Sequence, residues 1–233
     1  MRITRIKTFV VGMTGHNVIL VKVETDEGLF GIGEASLAGR DQGYTALRIV
    51  PTLFDADPWD SRRSVRATVR TVERLRKVVG EDIDLLVDVH HRYSPMENVH
   101  FGRAVEPYDP FFIEDPLPPD NLQSYALLRS KINVPLATGE AMVTKWSFKY
   151  LIENELLDYL RIDPIHVGGI TETKKIAIMG EVHDIDLALH NPTSPVCAAV
   201  CVHLDAQFRD PGGDLSTRLD AGDLPDSAGG GAR

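Results

Sequence analysis

The chain has 233 residues, 43% of them hydrophobic and 25% charged, which is enough for one sizeable core or two smaller domains. Its formal net charge of -9 and pI near 5.3 argue against nucleic acid or an anionic membrane as partner, because such binding rests on clustered Lys and Arg. Only two cysteines occur, Cys197 and Cys201, which excludes a disulfide scaffold and fits a cytoplasmic protein.

Met1 to Val11 interleaves Arg2, Arg5 and Lys7 with Ile3, Ile6 and Phe9, the alternation of a strand, so neither a signal peptide nor a membrane span is read there. Residues 2–36 are expected to form an antiparallel meander: Ile3 to Val11, a loop from Gly12 to Asn17, Val18 to Glu24, a tight Asp26-Glu27-Gly28 turn, and Leu29 to Glu34. Tyr44 to Phe54 reads as a helix. From Arg62 onward helices and strands alternate. The helix from Arg62 to Val79 carries Val65, Val69, Val72 and Leu75 on one face, and a strand ending at Asp88 follows. Further helices are expected at Pro95 to Glu106, Asp120 to Lys131, Thr144 to Glu153, Ile170 to His183 and Ser194 to Leu204, with Asp120, Thr144 and Thr171 as caps. Successive βα units point to an α/β fold with a parallel sheet, curled into a barrel or open. Cys197 and Cys201, four apart on an apolar helical face, read as small core residues rather than as a metal site with His203. After Phe208 the chain is rich in Gly, Asp and Ser with little to bury, and a disordered tail is expected.

The most informative pattern is the spacing of Asp88, Glu114, Glu140, Asp163 and His190, each following a short apolar run, at intervals of 26, 26, 23 and 27 residues. One βα unit occupies about that length, so these groups belong at the same end of five successive strands. Three carboxylates converging from neighbouring strands would repel one another, and hard oxygen ligands of this kind suit Mg²⁺. Taken singly, each acid could instead cap the next helix or pair with a nearby cation. Asp163 and His190 form a candidate general base, the carboxylate holding the imidazole. Strand alternation through Asp88-Val89-His90-His91 puts His90 on the side of Asp88 as a second acid or base, with His91 facing away. Arg161 shares a face with Asp163, where it would hold an anion or neutralise that acid.

At these residues the sequence resembles the enolase superfamily, in the mandelate racemase and muconate lactonizing enzyme branch with its acid-sugar dehydratases. The motifs are Asp-Val-His-His-Arg (88–92), Phe-Ile-Glu-Asp-Pro (112–116), Ala-Thr-Gly-Glu (137–140), Arg-Ile-Asp with His-Val-Gly-Gly-Ile-Thr-Glu (161–172), and Ala-Leu-His-Asn-Pro-Thr-Ser-Pro-Val (188–196). The first is also similar to the mannonate dehydratases. Gly-Ile-Gly-Glu-Ala (31–35) resembles the family's capping domain.

The resemblance implies an N-terminal α+β capping domain fragment over residues 1–60, a partial TIM-type (β/α) barrel over 61–204 and the tail over 205–233. It implies that Asp88, Glu114 and Glu140 bind Mg²⁺, that His190 supported by Asp163 is the base, and that His90 is the acid. The implied activity is that of a galactonate dehydratase-like hydro-lyase, which would convert an acid sugar to a 2-keto-3-deoxy sugar acid. A racemase or cycloisomerase, or an inactive remnant or interaction module of the same fold, is the alternative. The first two barrel strands find no room before Arg62, and the last is replaced by the tail. About 145 residues then stand where a full barrel takes roughly 250, and the open sheet edges lead us to expect a homo-oligomer.

Overall fold

Residues 3–13, 16–26, 30–34, 46–51, 59–192 and 194–208 are described in the computed structural model, and the chain divides into two compact units after residue 45. In the first unit the meander forms a three-stranded antiparallel sheet, β1 (Ile3–Met13), β2 (His16–Thr25) and β3 (Phe30–Glu34), paired in that order. The β1–β2 ladder runs on to Gly12↔Asn17 and Met13↔His16, so the expected loop is mostly strand. The expected tail beyond Phe208 lies outside the described residues.

The second unit is a parallel six-stranded sheet in sequence order: β4 (Ala46–Ile49), β5 (Asp84–Asp88), β6 (Phe112–Glu114), β7 (Leu136–Thr138), β8 (Tyr159–Leu160) and β9 (Asp186–Leu187). Helices lie between and after the strands: α1 (Ser61–Val79), α2 (Pro95–Val105), α3 (Ser124–Arg129), α4 (Lys145–Glu153), α5 (Ile170–Glu181) and α6 (Pro195–Gln207). This is the partial barrel the motifs imply, with one correction. The segment read as a helix from Tyr44 to Phe54 contains β4, which pairs with β5 from Ala46↔Asp84 to Ile49↔Val87. The division therefore falls upstream of residue 60, and a barrel strand does precede the one that ends at Asp88. Arg48 is exposed and Ile49 buried, as a strand requires, and Pro51 cannot continue a helix that begins before it.

Period-two alternation sorts the strand residues onto two faces. Leu85, Val87, Ile113, Leu136 and Leu160 enter the main core with Val72, Phe101, Tyr125, Leu128, Phe148, Leu151 and Ile176. The opposite face carries a smaller apolar cluster of Leu86, Phe112, Ala137 and Ala188, flanked by Ala46, Phe111 and Tyr159. That smaller cluster is the floor beneath the site.

The helix caps differ from expectation. Asp60 accepts from the backbone N–H of Arg63 at 2.9 Å, Ser94 and Glu97 form a reciprocal capping box, and Ser194 accepts from Cys197 at 3.2 Å. Asp120 caps nothing because α3 starts only at Ser124, Thr171 lies inside α5 behind Gly169, and Thr144 occupies its cap position without a side-chain bond. Cys197 and Cys201 are buried thiols outside any disulfide, and His203 is exposed, as the core reading requires. No described helix is long and apolar enough to cross a membrane.

Candidate active site

Parallel register brings the first two acids together, with Asp88 opposite Glu114 and Glu114 opposite Ala137. Asp88 shares a strand face with Leu86, and Glu114 with Phe112, so both rise from the floor cluster. Glu140 reaches the same place by a turn. The strand stops at Thr138, and Gly139 takes φ +145, where a Cβ would stand 2.7 Å from Phe148 Cε1 and 3.0 Å from the Arg161 carbonyl oxygen. Only glycine fits there without displacing its neighbours.

The three carboxylates meet on one guanidinium. Arg48 Nη2 lies 2.7 Å from Asp88 Oδ2 and 3.9 Å from Glu140 Oε2, and Arg48 Nε donates to Glu114 Oε2 at 3.0 Å. Behind them, Arg161 Nε donates to Glu114 Oε1 at 2.7 Å, while its Nη1 donates to the carbonyls of Ala188 and Leu189 at 3.0 and 2.9 Å. Arg161 is therefore a buried tie between β6 and the segment after β9. It neither neutralises Asp163 nor stands ready for an anion, because its hydrogen-bonding edge faces Glu114 and the backbone.

His190 sits between two acids, its Nδ1 3.0 Å from Asp163 Oδ2 and its Nε2 2.9 Å from Glu140 Oε2. Asp163 is held in turn by the backbone N–H of Ile165 on Oδ1 at 2.8 Å. His90 comes within 3.3 Å of Glu140 Oε1 and 3.6 Å of Asp88 Oδ2 through Nδ1. It gets there by a left-handed turn, φ 50 at His90 and 60 at His91, rather than by strand alternation, because β5 ends at Asp88. The same turn keeps His91 beside the site, contrary to expectation: its Nδ1 meets the Leu117 carbonyl at 3.0 Å and its Nε2 faces Asp115 Oδ2 at 4.0 Å.

Burial and mutual charge set the protonation pattern. Burial pushes Asp88 up to about 6, with Glu114 and Glu140 adding to the rise against the pull of Arg48. Burial acts the same way on Glu114, but Arg161 and Arg48 outweigh it and hold that carboxyl below its usual range. Glu140 falls to about 2 because its His190 contact, with His90 and Arg48, overcomes burial. Burial lowers His190, yet the Glu140 and Asp163 contacts raise the imidazole above its ordinary value. Asp115 is fully buried beside these acids and is pushed well above the carboxylate range, by burial first and then by Glu114 and Glu140. Thr138 Oγ1 donates to its Oδ1, while its Oδ2 and His91 Nε2 are buried without a hydrogen-bond partner.

Two sets of side chains could hold a cation. His91, Asp115 and Glu140 bring ligand atoms within 4.8 Å of one another, but burial pushes the Asp115 carboxyl up and so disfavours the charged form that ligates a metal. Asp88, Glu114 and Glu140 already gather around a positive charge and offer only hard oxygen donors, the set that suits a divalent cation with open positions. The oxygen set therefore fits the implied metal better.

Residues 33–213 match the enolase C-terminal domain-like family. The chain belongs to this family. Among its enolase-superfamily relatives, the D-mannonate dehydratase of Caulobacter vibrioides is 40% identical over 149 residues, 63% of this chain and 37% of the relative. That of Novosphingobium aromaticivorans is 35% identical over 187 residues, 78% of this chain and 46% of the relative. The D-galactonate dehydratase family member RspA of Halomonas elongata is 35% identical over 149 residues, with the same coverage as the first. The chain thus spans less than half the length of these curated relatives. A mandelate racemase/muconate lactonizing enzyme-like protein from Rubrobacter xylanophilus superposes with TM-score 0.67 at 29% identity, over 72% of this chain and 44% of that one. An enolase from Pantoea ananatis with bound D-gluconate and Mg shares the fold, with TM-score 0.67 at 23% identity over 87% of this chain and 81% of that one.

The five residues singled out by spacing and His90, singled out by strand alternation, stand in one cluster of the family's sheet. Arg48 was missed because its segment read as a helix. The signal available was a lone arginine in the run Ala46-Leu47-Arg48-Ile49-Val50, whose alternation and β-branched end favour a strand.

Proposed function

We propose that this site is that of a Mg²⁺-dependent acid-sugar dehydratase, which removes the proton α to a sugar carboxylate and expels the β-hydroxyl to leave a 2-keto-3-deoxy acid. The observation that carries the reading is the convergence of Asp88, Glu114 and Glu140 on a single cation, with two histidines on the same carboxylates. Relatives named D-mannonate dehydratase and D-galactonate dehydratase family member support the substrate class.

Asp88, Glu114 and Glu140 would hold the ion. When bound, Mg²⁺ supplies the positive charge that makes a proton α to a carboxylate acidic enough to remove. His190 is the base. Asp163 fixes Nδ1–H, and Nε2 becomes the proton-accepting position once it has released to solvent the proton it now directs at Glu140. His90 is the acid: its Nδ1 gives a proton to the departing β-hydroxyl, which leaves as water, and the enol then tautomerises to the keto acid. The apolar floor of Leu86, Phe112 and Ala137 lowers the local dielectric beneath the acids and strengthens the electrostatic interactions among these groups.

The test is turnover of hexonates and pentonates, D-mannonate, D-gluconate and D-galactonate first, with Mg²⁺ present and 2-keto acid read as its semicarbazone. Release of keto acid that His190→Asn and Glu140→Gln each abolish is the expected outcome. A chain that binds Mg²⁺ but releases no keto acid from any of them is not a dehydratase. Deuterium uptake from heavy water without elimination would reassign it as a racemase.

A further inference from the structure

The reading of Asp88, Glu114 and Glu140 as a Mg²⁺ site rests on a geometry in which Arg48 is already the cation. Its guanidinium nitrogens lie 2.7 and 3.0 Å from Asp88 Oδ2 and Glu114 Oε2, and the third acid is 3.9 Å away. Magnesium holds its oxygens at about 2.0–2.1 Å and demands near-ideal octahedral placement. An ion centred on those same oxygens would overlap the guanidinium, so the two positive groups cannot occupy the cluster together. The arginine is also more exposed than any of the three acids it faces, with 42% of its side-chain surface open against 0% for Glu114, 3% for Asp88 and 10% for Glu140, so it can leave where the acids cannot. It stands on β4, a strand of four residues at one end of the sheet order among the described residues, held to its single neighbour β5.

We infer that Arg48 is a displaceable counter-ion of the carboxylate triad, which neutralises the three acids in the metal-free protein and must swing out before Mg²⁺ can bind. Metal affinity is then set by an exchange of one cation for another, and it is weaker than the donor set alone would give. The exchange is reciprocal: whatever strengthens the Arg48 ion pairs weakens the metal, and metal binding frees the guanidinium at the lip of the site. A planar fork released there is suited to a carboxylate, so the group that pairs with the triad becomes an anion-binding group once the metal is in place.

The experiment is a calorimetric titration with MgCl₂ alone on the full chain and on Arg48→Met, each also melted with and without the metal. Arg48→Met should bind Mg²⁺ at least tenfold more tightly than the parent chain. It should also melt at a lower temperature without metal and gain more on adding it. Equal or weaker affinity in a folded Arg48→Met overturns the exchange while leaving the metal site intact. Absence of binding to both overturns the metal reading together with this one. Should Arg48→Met fail to fold, the parent chain decides by NMR: the Arg48 Nε–H resonance, identified by its loss in Arg48→Lys, should move on titration with Mg²⁺, and a resonance that saturating metal leaves unmoved overturns the inference.

Discussion

Replacing Arg161 by Met tests whether the buried ion pair beneath the site holds the sheet together. Arg161 is 3% exposed, and its partner Glu114 is wholly buried. Methionine keeps much of the stem's packing, so the loss isolates the guanidinium, whose partners among the described residues include Glu114, by a charge-assisted bond at 2.7 Å, and the carbonyls of Ala188 and Leu189. Breaking one side of a buried pair costs about 3–5 kcal/mol, because the remaining charge is left without compensation. Glu114 keeps Arg48 on its other oxygen, which puts the expected loss near the lower end, about 3 kcal/mol. The assay is urea unfolding without added metal, read from the midpoint at constant slope. The pH dependence follows from the sign of the shift. Glu114 is held below its usual range in the folded chain, so its stabilisation is present above the unfolded carboxylate value of about 4.3 and is lost as pH falls through the folded value. The gap between parent and variant should therefore narrow on acidification, and Arg161→Met combined with Glu114→Gln should recover part of the loss. A cost under about 1 kcal/mol at neutral pH, the size of an exposed pair, or a gap indifferent to pH, would refute the argument.

Asp115→Asn should stabilise the metal-free protein at neutral pH. The parent carboxyl is raised well above its ordinary value, so stability is lost as pH climbs from the unfolded value of about 3.9 toward the folded one. The amide has no proton to lose and can still accept from Thr138, so the advantage in melting temperature should grow over that window, and an advantage that shrinks there would count against the reading. Gly139→Ala should cost about 2–4 kcal/mol, from a left-handed φ and a Cβ pressed on Phe148 and the Arg161 backbone. It should also weaken Mg²⁺ binding by moving Glu140, and denaturation with calorimetry would expose either failure. Phe148→Ala, which empties a fully buried ring site under that turn, should cost about 3–5 kcal/mol in urea unfolding, and a loss below about 1 kcal/mol would show that the ring supports nothing.

The parallel strands from β5 onward, the helices that follow them and five of the six candidate residues were legible in the linear chain because each rests on a local repeat, whereas β4 read as a helix and His90 reaches the site by a turn and not by alternation. An apolar run ending in an acid or histidine makes a strand with a functional tip, and even spacing places the tips at one end of the sheet. Capping was less legible: Asp120 looks like a cap, but α3 starts four residues later at Ser124, since one good cap residue cannot start a helix that packing does not reward. The structure alone decided what depends on distant charges. Arg48 lies 40 residues before Asp88 and 66 before Glu114, and nothing near it in sequence says that it answers those acids. Arg161 looked like a partner for Asp163, two residues away, yet it turned to Glu114, 47 residues upstream. A strand's own pattern determines which face a side chain takes, whereas its ion-pair partner is settled by which buried charges remain uncompensated once the strands have assembled, and that sum exists only in three dimensions.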